Sequence, residues 1–207
     1  MVRSVQERAV KTREAILRAA SEVFDEFGFS GASVSKIMKR AGVTQGGMYF
    51  HFPSKEALAH AVMIEQGEGL EMPPGEDGLQ RLIDITLYLA GQLQTNPALR
   101  AGVRLAIEQG EFGVQDDAPY QYWVQEFAGQ LRAARDRGEL LADVDVDDLA
   151  WMLVSSYSGT QLLSQISTGR ADLHRRIITL WRYLLPGIAA PGIRPLLTFT
   201  YQDDPVA

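Results

Sequence analysis

Val34–Lys55, VSKIMKRAGVTQGGMYFHFPSK, holds the key to this chain. It reads as a helix, a glycine turn, a second short helix and the start of a third. Ser33 is placed to cap the first helix, because its hydroxyl can accept an orphan N–H at the helix start. Ile37, Met38 and Ala41 fall three and four apart and give that helix one buried face. Gly42 follows the last periodic residue, where a left-handed conformation ends a helix well. Thr44 caps the next helix, which starts at about Gln45. A helix, a short turn with glycine and a second helix make the helix-turn-helix pattern, whose second helix enters the DNA major groove.

The second helix has an unusual composition. Gly46 and Gly47 each cost about 1 kcal/mol relative to alanine inside a helix. One use for them is close approach, since a backbone without Cβ atoms can lie against a groove wall or a phosphate. The plainer alternative is a loop or a packing accident. Tyr49, His51 and Lys55 carry polar tips beside the turn, and Phe50 and Phe52 are expected to bury their rings beneath it. Ser54 then caps a long helix.

GVTQGGMYFHFPSKEAL closely resembles the helix-turn-helix of the TetR (tetracycline repressor) family of bacterial regulators. The preceding TREAILRAASEVFDEFGFSGASVSKI resembles that family's first helix and the entry to its second. The resemblance covers about the first quarter of the chain. It implies an all-α homodimer with an N-terminal DNA-binding domain and a C-terminal ligand-binding domain, here expected at residues 1–55 and 56–207.

The 207-residue chain carries a net charge of −6, which taken alone argues against nucleic acid. Its distribution argues the other way. Residues 1–55 hold nine basic and five acidic side chains, a net of +4, which leaves −10 for the remainder. A basic head on an acidic body fits a head that meets phosphate. Arg3, Arg8 and Lys11 could reach the DNA backbone as an arm, or be ordinary solvated charges. There is no cysteine, no signal-peptide-like N-terminus and no apolar run long enough to span a membrane. The three histidines, His51, His60 and His174, have no metal-ligand spacing. A cytoplasmic protein with no membrane partner, no cofactor and no metal is expected.

The remaining periodicities predict helices throughout. The first runs from Ser4 or Arg8 to Phe27, with Ile16, Ala19, Ala20, Val23, Phe24 and Phe27 inward. A long helix follows from Ser54 to Gly67–Gly69. The glycine- and proline-rich segment to Gly78 reads as a loop rather than a domain boundary. Further helices are expected over Leu79–Gln94, Ala98–Glu108, Tyr120–Arg137, Val146–Ile166 and Ala171–Leu185, the last stopping at Pro186-Gly187. An irregular tail follows, in which LLTFTY (196–201) is a weak strand candidate. The two helices from Val146 are apolar nearly all round. In a body this small, a second copy of the chain is the natural cover for them, and a twofold pair matches the spacing of helix-turn-helix readers.

Gln66, Tyr88, Trp123, Tyr157, Thr160, Gln161 and Trp181 are polar-tipped residues among apolar ones, the usual make-up of a small-molecule pocket. Each could equally be a satisfied core residue. LAHAVMIEQ (58–66), LRAGVRLAIEQG (99–110), the Trp123 helix and SGTQLLS (158–164) resemble the γ-butyrolactone-receptor subgroup of the TetR family. That resemblance implies a repressor released by a γ-butyrolactone, butenolide or furan, with a TetR-like regulator of a different effector class, a pseudo-receptor or a drug-responsive one, as the alternative. It places the pocket tryptophan at Trp123 and ligand-bonding groups at Gln66 and Thr160. On the DNA side, Gln45 and Met48 are expected at base edges, with the Gly46 and Gly47 backbone close by. Ser33, Thr44, Tyr49, His51 and Lys55 are expected at phosphates, where contacts position rather than specify. An enzyme is the alternative class, but no catalytic triad, phosphate loop or metal spacing supports it. A helical adaptor that binds protein through its acidic body is another.

Overall fold

The computed structural model describes residues 2–67 and 69–199, with side chains from Gln6 onward. Among these residues the chain is all-α. The helices are α1 (Val2–Gly31), α2 (Val34–Ala41), α3 (Gln45–His51), α4 (Lys55–Ile64), α5 (Leu79–Thr95), α6 (Pro97–Glu108), α7 (Ala118–Asp136), α8 (Val146–Thr168) and α9 (Leu173–Ile188). Short 3-10 turns follow α4 and α6. The described part of the strand candidate forms a 3-10 turn at Arg194–Leu196 and then irregular chain; Thr200 and Tyr201 lie outside the described residues. So does the side chain of Arg3.

Two compact units result: Met1–Leu70 with Asn96–Pro119, and Glu71–Thr95 with Tyr120–Ala207. The chain first passes between them at Leu70, inside the segment expected to be a loop within one domain. The expected division after Lys55 separates α4 from the head. In the structure α4 and α6 both pack on α1, so all three belong to the first unit.

The core of the first unit follows the expected face of α1. Ile16, Ala20, Val23 and Phe24 are fully buried. Phe27 departs from expectation at 37% exposed. The chain kinks at the next residue, Gly28, and the ring is left at the rim with the Lys36 ammonium 3.7 Å from its centre. All three expected caps form. Ser33 accepts from the Lys36 N–H, Thr44 from Gly47 and Ser54 from Ala57, at 3.3, 3.2 and 3.1 Å. Gly42 ends α2 at φ 67° and donates its N–H to the Met38 carbonyl, the left-handed stop read from sequence.

Charge ties α6 to α1. Arg100 bonds both Asp25 oxygens, the shortest contact being 2.6 Å. Arg104 donates to the Asp25 carbonyl at 2.9 Å and to Glu108 at 2.7 Å. The other Glu108 oxygen accepts the Phe29 N–H at 2.8 Å. Phe29 also packs on Phe112, with centroids 4.7 Å apart and the rings tilted by 39°. The segment leading from α1 into α2 is therefore held by side chains of α6.

In the second unit the start of α5 is capped from a distance. Glu139 accepts the Leu79 N–H at 2.9 Å and Gln130 accepts that of Gly78 at 3.1 Å. A carboxylate at a helix N-terminus is favoured by the helix dipole. Trp181 of α9 is fully buried and donates to the Thr86 hydroxyl of α5 at 2.8 Å, which donates to the Ile83 carbonyl at 2.7 Å. Helix α9 runs to Ile188 instead of stopping before Pro186. A proline in a last turn removes one hydrogen bond, and the helix keeps the rest. The tail is pinned where Gln80 and Thr198 exchange two hydrogen bonds, at 3.1 and 2.8 Å. No helix among the described residues is long and apolar enough to cross a membrane.

Candidate nucleic-acid interface and effector site

Helix α3 shows two faces. Met48 is fully buried and Phe52 nearly so, which seats the helix on the head. Gln45 and Gly46 are exposed, Tyr49 is 44% exposed and Phe50 is 79% exposed. Two expectations fall here. Met48 cannot offer its side chain to a base edge, because that side chain fills the core under α3. Phe50 does not bury its ring; it meets His51 edge-on at 5.0 Å on the outer surface. The helical wheel contained this result. Two residues along a helix turn about 200°, so a buried Met48 throws Phe50 outward.

The glycines of α3 have no internal reason to be glycine. Neither has a positive φ. A Cβ on Gly46 would meet nothing within 4 Å, and one on Gly47 would touch Thr44 Oγ1 at an ordinary 3.4 Å. Packing and backbone conformation both tolerate alanine at these positions.

Lys55 is drawn inward. Its ammonium donates to the carbonyls of Phe29 at 2.9 Å and Ala32 at 3.1 Å, and lies 4.1 Å from the Phe29 ring centre. It therefore closes the carbonyl end of α1, with at most one donor left for a phosphate. Ser33 and Thr44 are exposed, and their hydroxyls already cap α2 and α3. His51 is half-buried.

The expected effector residues divide between the units. Gln66 lies in the first, in the 3-10 turn after α4. Tyr88, Trp123, Tyr157 and Thr160 lie in the second, on α5, α7 and α8, and all four are half-buried. Trp123 is flanked on α7 by Tyr122 and Phe127, at 5.0 and 6.3 Å between ring centres. Tyr157 and Thr160 share one face of α8, three residues apart. The Tyr157 hydroxyl is buried and has no hydrogen-bond partner among the described residues. Burial pushes its pKa far up, and the nearby Arg170 charge opposes the shift. Burial likewise raises Tyr88, with Glu71 close by. Two other sequence candidates have structural roles. Trp181 is held by Thr86, and Gln161 accepts from the Arg170 guanidinium at 3.0 Å.

A capped helix, a left-handed glycine and a second helix with an open outer face, in a chain that also carries a separate all-helical unit, define a helix-turn-helix regulator. The chain belongs to the TetR family: the profile described as bacterial regulatory proteins, tetR family, matches residues 16–62, and that described as tetracyclin repressor-like, C-terminal domain, matches residues 76–190. It is similar to the A-factor receptor protein of Streptomyces griseus, with 41% identity over 91% of this chain and 67% of that one. Among solved structures it resembles full-length native TylP, a TetR regulator from Streptomyces fradiae. The TM-score is 0.83 and the identity 42%, over 93% of each chain. A structure of a γ-butyrolactone receptor (ArpA-like protein) matches with TM-score 0.66 and 30% identity, over 91% of this chain and 93% of that one. These relatives are regulators and receptors, and the chain is a transcriptional regulator of their family.

Proposed function

We propose that the protein is a repressor that binds operator DNA as a homodimer and is released by a small molecule of γ-butyrolactone, butenolide or furan type. The observation that carries the DNA reading is the pair of glycines on α3. Nothing inside the fold calls for them, and they lie on or beside the exposed face, where a duplex backbone or base edge would approach. Gln45 reads base edges, with Tyr49 and the exposed Phe50 beside it. Ser33, Thr44 and His51 lie at phosphates. Lys55 contributes mainly by fixing the end of α1.

Homodimer formation is supported by the apolar surface that α8 and α9 leave open. Leu163 is 61%, Ile166 73% and Tyr183 83% exposed, with Trp151 and Met152 each at 45%. Burying such a surface against a second copy gives two recognition helices a fixed separation, which a palindromic operator requires. The effector reading rests on the likeness to the A-factor receptor and to γ-butyrolactone receptors, together with Trp123, Tyr88, Tyr157 and Thr160. A buried tyrosine hydroxyl without a partner is a directed polar group in waiting. A ligand there shifts the dimer only as far as it prefers one of its two shapes.

The test is a gel shift with the promoter of the protein's own gene, repeated with a γ-butyrolactone, a butenolide and a furan. Binding that one of them releases is expected. Trp123→Ala should still bind the promoter and fail to release; normal release from that variant overturns the effector assignment. No retardation at moderate salt overturns the repressor reading.

A further inference from the structure

Helix α3 presents few charges for a helix that meets DNA. Its seven residues, QGGMYFH, include no lysine or arginine, the side chains that most often read guanine. Outward it shows Gln45, Gly46, Tyr49 and Phe50. At 79%, Phe50 is the most exposed large apolar side chain among the described residues of the first unit.

The surroundings of that ring are specific. On one side it meets the His51 ring edge-on, 5.0 Å between centres and 86° between planes, a geometry that aromatic pairs favour. The ring is thereby steadied before DNA arrives. Its neighbours on the helix surface are the residues three and four positions back, and these are Gly47 and Gly46. Side chains on a helix lean toward its start, so Phe50 leans toward the one turn that carries no side chains. A Cβ on Gly46 would meet no atom within 4 Å, the Phe50 ring included. The result is a small open notch, with a phenyl ring for a wall and bare helix backbone for a floor.

What can enter the notch is set by what a major groove offers. Base edges there present hydrogen-bond donors and acceptors, and the 5-methyl of thymine is the apolar group among them. Base faces are closed inside the stack. A phenyl ring gains by leaving water only against another apolar surface, so phosphates and polar edges give it nothing. Gln45 points to the same kind of base pair, because a carboxamide matches the N6 and N7 of adenine.

We propose that Phe50 is a specificity-determining residue of the reader, and that it takes the 5-methyl of an operator thymine into the notch between its ring and the Gly46–Gly47 turn. This rests on the proposed DNA-binding function and names the chemistry that function recognises: A·T pairs, read through the thymine methyl. The contact is uncharged. Its share of the affinity therefore stays constant with salt, unlike that of phosphate contacts.

The test compares the promoter fragment of the protein's own gene made with thymine, with uracil and with 5-bromouracil. All three bases pair alike with adenine; uracil lacks the methyl, and bromine restores its bulk. The unsubstituted protein should bind the uracil fragment roughly fourfold more weakly for each half-site, the worth of one buried methyl group. It should bind the bromouracil fragment as it binds the thymine one. Phe50→Ala should bind thymine and uracil fragments alike, and Phe50→Leu should keep part of the preference. Equal binding of thymine and uracil by the unsubstituted protein overturns the proposal. So does a uracil loss that persists in full in Phe50→Ala, which would put the methyl against another side chain. No retardation of any fragment overturns the repressor reading and this one with it; retardation that ignores the methyl overturns this one alone.

Discussion

Gly46 shows at one residue how function and stability pull apart. Glycine in a helix interior costs about 0.5–1 kcal/mol relative to alanine. Since a Cβ there meets nothing, Gly46→Ala should raise the melting temperature while weakening operator binding. Thermal denaturation and a gel shift on the same preparation check the pair; a variant that is stabilised and binds normally removes the close-approach argument. Met48 and Phe50 make the complementary contrast. Met48→Ala opens a cavity under α3 and should cost about 2–5 kcal/mol in denaturant unfolding. Phe50→Ala, at a side chain 79% exposed, should leave unfolding unchanged and reduce operator affinity. At this scale the sequence was legible wherever a residue acts through local geometry: the hydroxyl caps at Ser33, Thr44 and Ser54, and the left-handed Gly42. It was incomplete where a residue's partner is distant in the chain. The Lys55 ammonium faces carbonyls 23 and 26 residues away, so a charge that reads as a phosphate contact closes a helix end.

At the scale of elements, periodicity located every helix to within a few residues, because each has an apolar stripe and a cap or breaker at its ends. Helix partners were not legible. Nothing in the local pattern of residues 97–108 says that Arg100 and Arg104 meet Asp25, which is what places α6 in the same unit as α1. The corner between α8 and α9 was missed for the same reason. There Asp172 accepts from Ser164 at 2.6 Å, from Thr168 at 2.8 Å and from Arg176 at 2.6 Å. The Ser164 bond first, with those of Thr168 and Arg176, holds the Asp172 pKa at about 2, below the ordinary 3.8. The unfolded chain therefore takes up this proton before the folded one does. The corner's contribution is complete above pH 3.8 and is lost as pH falls through about 2. Asp172→Asn should melt below the unsubstituted protein at pH 5, and the gap should close toward pH 2. A gap that stays constant over that range would show that the carboxylate charge is not what holds the corner.

For the whole molecule, the apolar face of α8 and α9 is where sequence and single-chain structure agree most usefully. Both helices read as apolar nearly all round; in the folded chain α8 leaves Leu163 and Ile166 open, while α9 adds Tyr183 beside exposed Arg175 and Arg182. One chain exhausts its own cover before these residues are reached, and interfaces between like subunits are richer in apolar surface than the rest of the exterior. If a second copy supplies the cover, a charge placed there should separate the subunits without unfolding either. Ile166 is the position for it, because at 73% exposed its side chain contributes little to the fold of one chain. Ile166→Glu would then bury a carboxylate from each chain in that surface, which costs far more than the lost apolar contact. Sedimentation velocity should then show a monomer with unchanged helical circular dichroism. Operator affinity should collapse, because a lone head loses the gain in effective concentration that a paired reader has on two half-sites. The salt dependence of the residual binding gives a second reading. Half the phosphate contacts should mean about half the slope of log affinity against log salt. A variant that sediments as a dimer and binds the operator normally would move the interface elsewhere, and with it the geometry by which two heads are held in register.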